Sequence, residues 1–299
     1  MSIATAAING VIVLVLAPLF DGVARKLRAF IHSRKGPPIT QVYIDIMKLL
    51  GKQDLRCTTS WVFRFAPALA LSAFLVGAML TPMGVKSGTG IPGDMVTWIY
   101  VLTLGAAAIV VMASASRNPL SEVGGAREVV MMLSVEPVVV AGLLTAALKS
   151  QSMRLSDMVA WNLANGPTVS MVCAGVAFFL MLQAMIGRLP FDLVEAESEI
   201  VEGPLMEQSG PNLAVLKIAM LVRQLVYSFL FVQIFVPWPV VSPWPWAAAA
   251  AAGKVLVLFI IAAVVEAVSP RLRIDQAMSY MGKVLFIGWT AVAFAVIGV

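Results

Sequence analysis

PTVSMVCAGVAFFLMLQAMI, residues 167–186, carries no charge, and GRLPFDLVEAESEIVEGPLMEQSGPN, residues 187–212, follows it directly. The first stretch has the length of a lipid-crossing helix, which needs about 20 apolar residues. A closed β-barrel would require short alternating segments, and this run is continuously apolar. Working outward, comparable runs occupy 3–20, 61–83, 95–116, 129–149, 213–236, 247–268 and 277–297. The expectation is an all-α membrane bundle of about eight transmembrane helices, one transmembrane domain over residues 1–299. Composition agrees: 60% of the 299 residues are hydrophobic and 12% charged, too little charge to cover a water-soluble domain of this length.

Thirteen of the 21 Lys and Arg residues fall in the connections 21–60, 117–128, 187–212 and 269–276, whereas the opposite connections carry Lys86, Lys149 and Arg154. Positive charge accumulates on the cytoplasmic side, so both termini are expected outside. The basic loop 21–60 and the acidic loop 187–212 are then both cytoplasmic. The net charge of +5 therefore serves anionic headgroups and topology, and nucleic acid is not expected. Arg25, Lys26 and Arg28 follow the first apolar run, the order of a retained first helix. Trp238, Trp244 and Trp246 suit an interfacial aromatic belt, and the alanines at 247–252 suit close helix packing.

Two cysteines and one histidine are too few for an iron–sulfur site or the usual multi-histidine metal centres. No metal site and no catalytic set is expected here; any redox cofactor belongs to a partner.

The loop 187–212 gathers Asp192, Glu195, Glu197, Glu199, Glu202 and Glu207, six of the 16 acidic residues. Pro190 suits a helix start and Gly203-Pro204 a stop, which predicts a short helix at about 191–202. It would put Glu195, Glu199 and Glu202 on one face, with Asp192 one turn before them. An extended strand would align Glu195, Glu197 and Glu199 instead. Either arrangement crowds like charges and raises the pKa of some of them. A plain solvated acidic loop and a proton-handling mouth both fit these residues; the spacing is not that of an EF-hand.

Charges also lie inside the spans. Glu136 sits about 11 Å into span four, followed by Pro137, which frees the carbonyl of Leu133. Arg223 lies near the middle of span six, where an unpaired charge costs at least about 2.5–3.5 kcal/mol, so it must face the bundle and meet a partner. Lys254 and Glu266 share span seven about 18 Å apart, too far for a direct pair. Structural ion pairs account for some of these. Taken together, Glu136, Glu266, Arg223, Lys254 and the acidic mouth are the elements of a proton path.

Three ordered segments carry a resemblance: RKGPPITQVYIDIMKLLGKQ (34–53), PFDLVEAESEIVEGPLMEQSG (190–210) and PRLRIDQAM (270–278). Together they resemble the respiratory complex I subunit 1 family, over nearly the whole chain. The first loop lacks the longer insertion of quinone-reducing complexes, and its Q-x-Y-x-D-x-x-K-L-L-x-K pattern is similar to membrane anchor subunits of energy-converting NiFe (nickel–iron) hydrogenases. The resemblance implies a non-catalytic, proton-conducting anchor in a prokaryotic cytoplasmic (inner) membrane. Its partners would be hydrogenase large and small subunits, a ferredoxin-like iron–sulfur subunit and an antiporter-like membrane subunit, with the Ni–Fe centre and iron–sulfur clusters in those partners. It further implies that Glu195, Glu197, Glu199, Glu202 and Glu207 lie beneath the redox subunits and signal to Glu136. Arg34, Lys35, Asp45, Lys48 and Arg188, with Arg271, Arg273 and Asp275 of the last loop, would make partner contacts. Two alternatives are a quinone-binding subunit of a complex I-type NADH dehydrogenase and a secondary transporter with its ion site at Glu136 and Arg223. The transporter would be expected to show internal repeats, which this sequence lacks.

Overall fold

A computed structural model describes residues 3–55, 57–82, 93–239 and 244–298. In chain order the helices are α1 (Ile3–Ile31), α2 (Gln41–Leu50), α3 (Trp61–Leu80), α4 (Met95–Ala115), α5 (Pro119–Ser150), α6 (Leu155–Asn165), α7 (Val169–Ile186), α8 (Glu197–Ile200), α9 (Gly210–Phe235), α10 (Trp244–Val268) and α11 (Ile274–Ile297). Eight of them, all but α2, α6 and the single turn α8, are long and apolar enough to cross a membrane. Among the described residues there is no strand, only an isolated bridge between Asp94 and Arg154. The all-α, eight-span, multi-pass architecture is therefore as the apolar runs predict.

Two helices outrun their apolar stretches. α1 continues to Ile31 instead of stopping at residue 20, and α5 begins at Pro119 instead of 129. Hydropathy marks the part of a helix that lies in lipid, whereas the helix itself ends where its backbone groups find other partners. In α5 that end is set by Asn118, whose side chain accepts from the Leu120 N–H at 2.9 Å, and by Pro119 in the first turn. At the far end of α7, Gly187 turns left-handed (φ 67°) and its N–H closes on the Ala184 carbonyl, releasing the chain into the acidic segment.

α9 is the central helix, packed against α1, α3, α7 and α10, while α11 lies against α5 and α7. In lipid, helices associate through close packing more than through hydrophobic expulsion, and small residues permit the approach. Between α3 and α4, a Cβ on Gly105 would sit 2.5 Å from the Phe74 ring, and one on Gly77 would sit 2.6 Å from Leu102. Phe178, Phe231 and Phe235 fill the α7–α9 seam with ring centroids 5.5–6.0 Å apart.

The connections sort to two ends. The segments around residues 51–60, 116–118, 187–209 and 269–273 bond to one another: Ser209 Oγ with Leu55, Asn118 Nδ2 with Glu207, and Leu272 N–H with the Pro190 carbonyl. At the other end, Gly93 and Met95 bond to Leu155 and Met153.

Candidate functional site

The segment after α7 is not the helix that its Pro190 and Gly203-Pro204 predict. Residues 187–196 run irregularly, α8 is one turn, and Val201 and Glu202 adopt left-handed backbone (φ 50° and 65°) before a 3-10 turn at Gly203–Leu205. The reason is close docking on α5. A Cβ on Gly203 would overlap the Val194 carbonyl, and one on Gly124 would meet Pro204 Cδ at 2.7 Å. A continuous helix would have no room for that contact. Glu195, Glu199 and Glu202 consequently do not share one face.

Side chains from several elements pin the segment. Arg127 of α5 donates to the Leu193 carbonyl at 3.3 Å and to Glu199 at 2.8 Å. Arg271 donates to Asp192 at 2.7 Å, and Gln183 of α7 donates to the Leu189 carbonyl at 3.1 Å. Arg188 reaches inward to Asp21 of α1 and to Glu266 of α10.

Beneath the segment lie two cavities. The larger, about 530 Å³, is walled by α1, α2, α9 and the segment itself; its lining includes Asp21, Asp45, Glu202, Lys217 and Glu266. The smaller, about 40 Å³, runs between α4, α5, α7 and α9, and its polar lining is Thr103, Glu128, Glu136, Asp192, Glu195, Arg223 and Tyr227. Forty cubic ångströms hold a few water molecules, at roughly 10–15 Å³ each. Gly187, Asp192, Glu195 and Met220 line both cavities, so Asp192 and Glu195 stand where the two meet.

In the smaller cavity Arg223 meets Glu128, a buried pair, and its guanidinium lies 6.0 Å from the centroid of the Phe74 ring. The partner demanded by a mid-span arginine is thus Glu128. Deeper in, Thr103 donates to Glu136 at 2.6 Å, and Tyr227 rests edge-on against Trp98 at 5.2 Å. Burial pushes the Glu195 carboxyl up to about 7; the negative charge of Asp192 adds to the shift, and Arg223 opposes it. Glu199, four residues on, moves the other way: the bond from Arg127 holds it below the ordinary carboxylate range. One carboxyl of the segment thus exchanges its proton near neutrality while its neighbour stays ionised.

The remaining predicted residues divide. Asp45 lines the larger cavity and accepts from Gln41 at 2.8 Å. Arg34, Lys35 and Lys48 are exposed, and Arg273 pairs with Asp275 at 3.4 Å on the surface. The side chain of Glu197 lies outside the described residues, as do Lys86 and residues 240–243 of the Trp-Pro stretch. Lys254 is not brought to the site: its ammonium donates to the Val236 and Pro237 carbonyls at 3.0 and 2.9 Å, where α9 ends. Glu266 lines the larger cavity and is bonded to Arg28 at 2.5 Å. Arg25 and Arg28, expected at lipid headgroups, instead pair with Asp21 and Glu266.

Asp21, Glu128, Arg127 and Tyr227 were not singled out by the sequence. Asp21 and Glu128 sit at the edges of apolar runs, where a carboxylate reads as a flanking charge. The one available signal was their pairing need: Arg223 required an acid, and Asp21 has Arg25 one turn on.

The family model described as NADH dehydrogenase matches residues 3–297. The chain belongs to the NADH dehydrogenase family. Within that family it is 35% identical over 246 residues to formate hydrogenlyase subunit 4 of Escherichia coli (strain K12), covering 80% of this chain and 79% of the relative. It is 36% identical over 236 residues to hydrogenase-4 component C of the same organism, covering 77% and 74%. A subunit of the NADH-quinone oxidoreductase of Geobacter metallireducens is 30% identical over 297 residues, covering 92% and 88%. Among solved structures, a chain of the membrane-bound sulfane sulfur reductase, an archaeal respiratory membrane complex, superposes with a TM-score of 0.87 at 25% identity, covering 97% of this chain and 99% of that one. These relatives are named as parts of larger respiratory or hydrogenase systems, in keeping with a chain that forms one membrane subunit of such an assembly. Among the described residues no cluster of His, Cys, Asp or Glu could hold a metal ion.

Proposed function

We propose that this chain is the membrane anchor and proton-conducting subunit of an energy-converting nickel–iron hydrogenase in a prokaryotic inner membrane. In this reading the end carrying 21–60 and 187–212 faces the cytoplasm, beneath hydrogenase large and small subunits and a ferredoxin-like iron–sulfur subunit that hold the Ni–Fe centre and the clusters. Redox chemistry there changes the charge felt by Asp192 and Glu195. Glu195 then takes up or releases a proton through the larger cavity, and the smaller one passes it past the Arg223–Glu128 pair to Glu136. Glu136 in turn faces an antiporter-like membrane subunit.

The observation that carries this reading is the junction of the two cavities at Glu195, a carboxyl poised near pH 7. A group that exchanges protons at working pH, wet on one side and leading to a mid-membrane acid on the other, has what relay requires. The sequence likeness to formate hydrogenlyase subunit 4 and hydrogenase-4 component C favours protons over quinone as the electron acceptor. Purification of the intact assembly under mild detergent tests it: nickel and hydrogen evolution are expected, whereas tightly bound quinone with a flavin subunit would place the chain in the quinone branch.

A further inference from the structure

One set of charges in the wall of the larger cavity has no part in the proton steps proposed above. Arg188 begins the acidic segment and is 7% exposed, and it bonds to acids of two membrane helices. It bonds to Asp21 of α1, which is 4% exposed, and to Glu266 of α10, at 3.4 Å. Each acid has a second arginine from α1: Arg25 on Asp21 at 2.8 Å, and Arg28 on Glu266 at 2.5 Å. The result is an alternating row, Arg25–Asp21–Arg188–Glu266–Arg28, crossing from α1 to α10 through the first residue after Gly187. The Arg188 guanidinium also lies 6.0 Å from the centroid of the Phe259 ring of α10. Two membrane helices therefore hold the entry point of the acidic segment.

Buried ion pairs contribute little to net stability, because desolvation offsets the Coulombic gain; their best-attested use is to specify one arrangement. A planar guanidinium bridging two carboxylates has a geometry that an ammonium cannot copy. We propose that Asp21 and Glu266, acting through Arg188, are positioning residues that fix where Asp192 and Glu195 stand at the junction of the two cavities. This rests on the proposed function only for its consequence, proton relay; the positioning itself is independent of what the site conducts.

Glu195 is faced by Asp192 and Glu202 of its own segment, by Glu128 of α5 and by Arg223 of α9. Arg28, Arg188, Lys217 and Glu266 line the larger cavity with it. Arg188→Lys leaves every charge in place, so a moved Glu195 midpoint in that variant would report displacement of the segment, whereas Glu266→Gln removes a charge from the cavity and is read by hydrogen exchange alone. The test uses the membrane assembly containing the full chain, in lipid nanodiscs. Backbone hydrogen exchange over 187–196 and the infrared carboxyl band of Glu195, identified by its loss in Glu195→Gln, are followed together. Both variants are expected to speed exchange in 187–196 about tenfold, as loss of a charge-assisted bond would, and Arg188→Lys to move the Glu195 midpoint down from about 7 as water reaches it. Arg188→Lys keeps the charge, so the loss isolates geometry; should it fail to accumulate, Glu266→Gln reads the exchange of 187–196 with Asp21 still in place. Wild-type exchange in an assembled variant would overturn the proposal. Should Glu195→Gln leave proton movement unchanged, the relay reading fails while these two readouts still decide the positioning.

Discussion

At the acidic end of the bundle, arginines from three places converge on carboxylates: Arg127 on Glu199, Arg271 on Asp192, and Arg188 on Asp21 and Glu266. At the opposite end three polar side chains instead close backbone carbonyls. Asn9 donates to Thr81 at 3.2 Å, Asn162 to Ile234 at 2.6 Å, and Lys254 to Val236 and Pro237. The same economy of charge is used for different ends. Where helices simply stop, one donor per orphan carbonyl suffices. Where a segment must hold carboxyls at a cavity junction, each holding acid is bonded to an arginine, whereas Glu195 is left to titrate. Arg223, which opposes its shift, is committed to Glu128.

The contrast can be broken most severely at Arg223. Arg223→Leu leaves Glu128 buried without its cation and should destabilise the bundle by about 3–5 kcal/mol, read as lost thermal stability in detergent; adding Glu128→Leu should restore most of it. A large effect that the second change does not relieve would show that the pair is not the unit. Next comes the acidic end's titration. Because the fold raises the Glu195 pKa, the folded chain holds a proton that the unfolded chain releases between the ordinary 4.5 and about 7. Its contribution to stability is full below 4.5 and lost as pH rises through 7; Glu195→Gln should flatten that slope in unfolding midpoints measured across the window.

The opposite end supplies a smaller effect. Lys254→Met removes a cap from α9 and should cost about 1 kcal/mol without altering proton movement. A coupling defect in that variant would return Lys254 to the relay. Smallest is Arg127→Ala, which should let the Glu199 midpoint rise toward the ordinary carboxylate range, since the bond that favours its ionised form is gone; infrared titration with and without the arginine reads the change.

The eight spans were legible because a lipid-crossing helix announces itself by length and hydropathy alone. Sidedness within the bundle was legible too: connections rich in Lys and Arg alternate with connections poor in them, and the structure brings the rich ones together at one end. The acidic segment was not, because Pro190 and Gly203-Pro204 are equally good punctuation for an irregular stretch. What decides between them is the long-range contact of Gly203 with Gly124, about eighty residues earlier in the chain. Pairings across the bundle were hidden for the same reason. Arg28 reads as a headgroup contact until Glu266, 238 residues away, is beside it. Glu136 and Arg223 could be recognised as needing partners; Thr103 and Glu128 could not be named, since helix rotation and neighbour choice are set by packing and leave no mark in local sequence.

Proton movement by inverted membrane vesicles, driven by hydrogen-linked turnover of the assembly, tests the relay most directly when wild type is set against Glu195→Gln and Glu136→Gln. Both variants should assemble and evolve hydrogen with an artificial electron donor, yet acidify the vesicle interior at least about tenfold more slowly, the cost of losing a relay group. Wild-type acidification in both, at equal hydrogen evolution, would contradict the account.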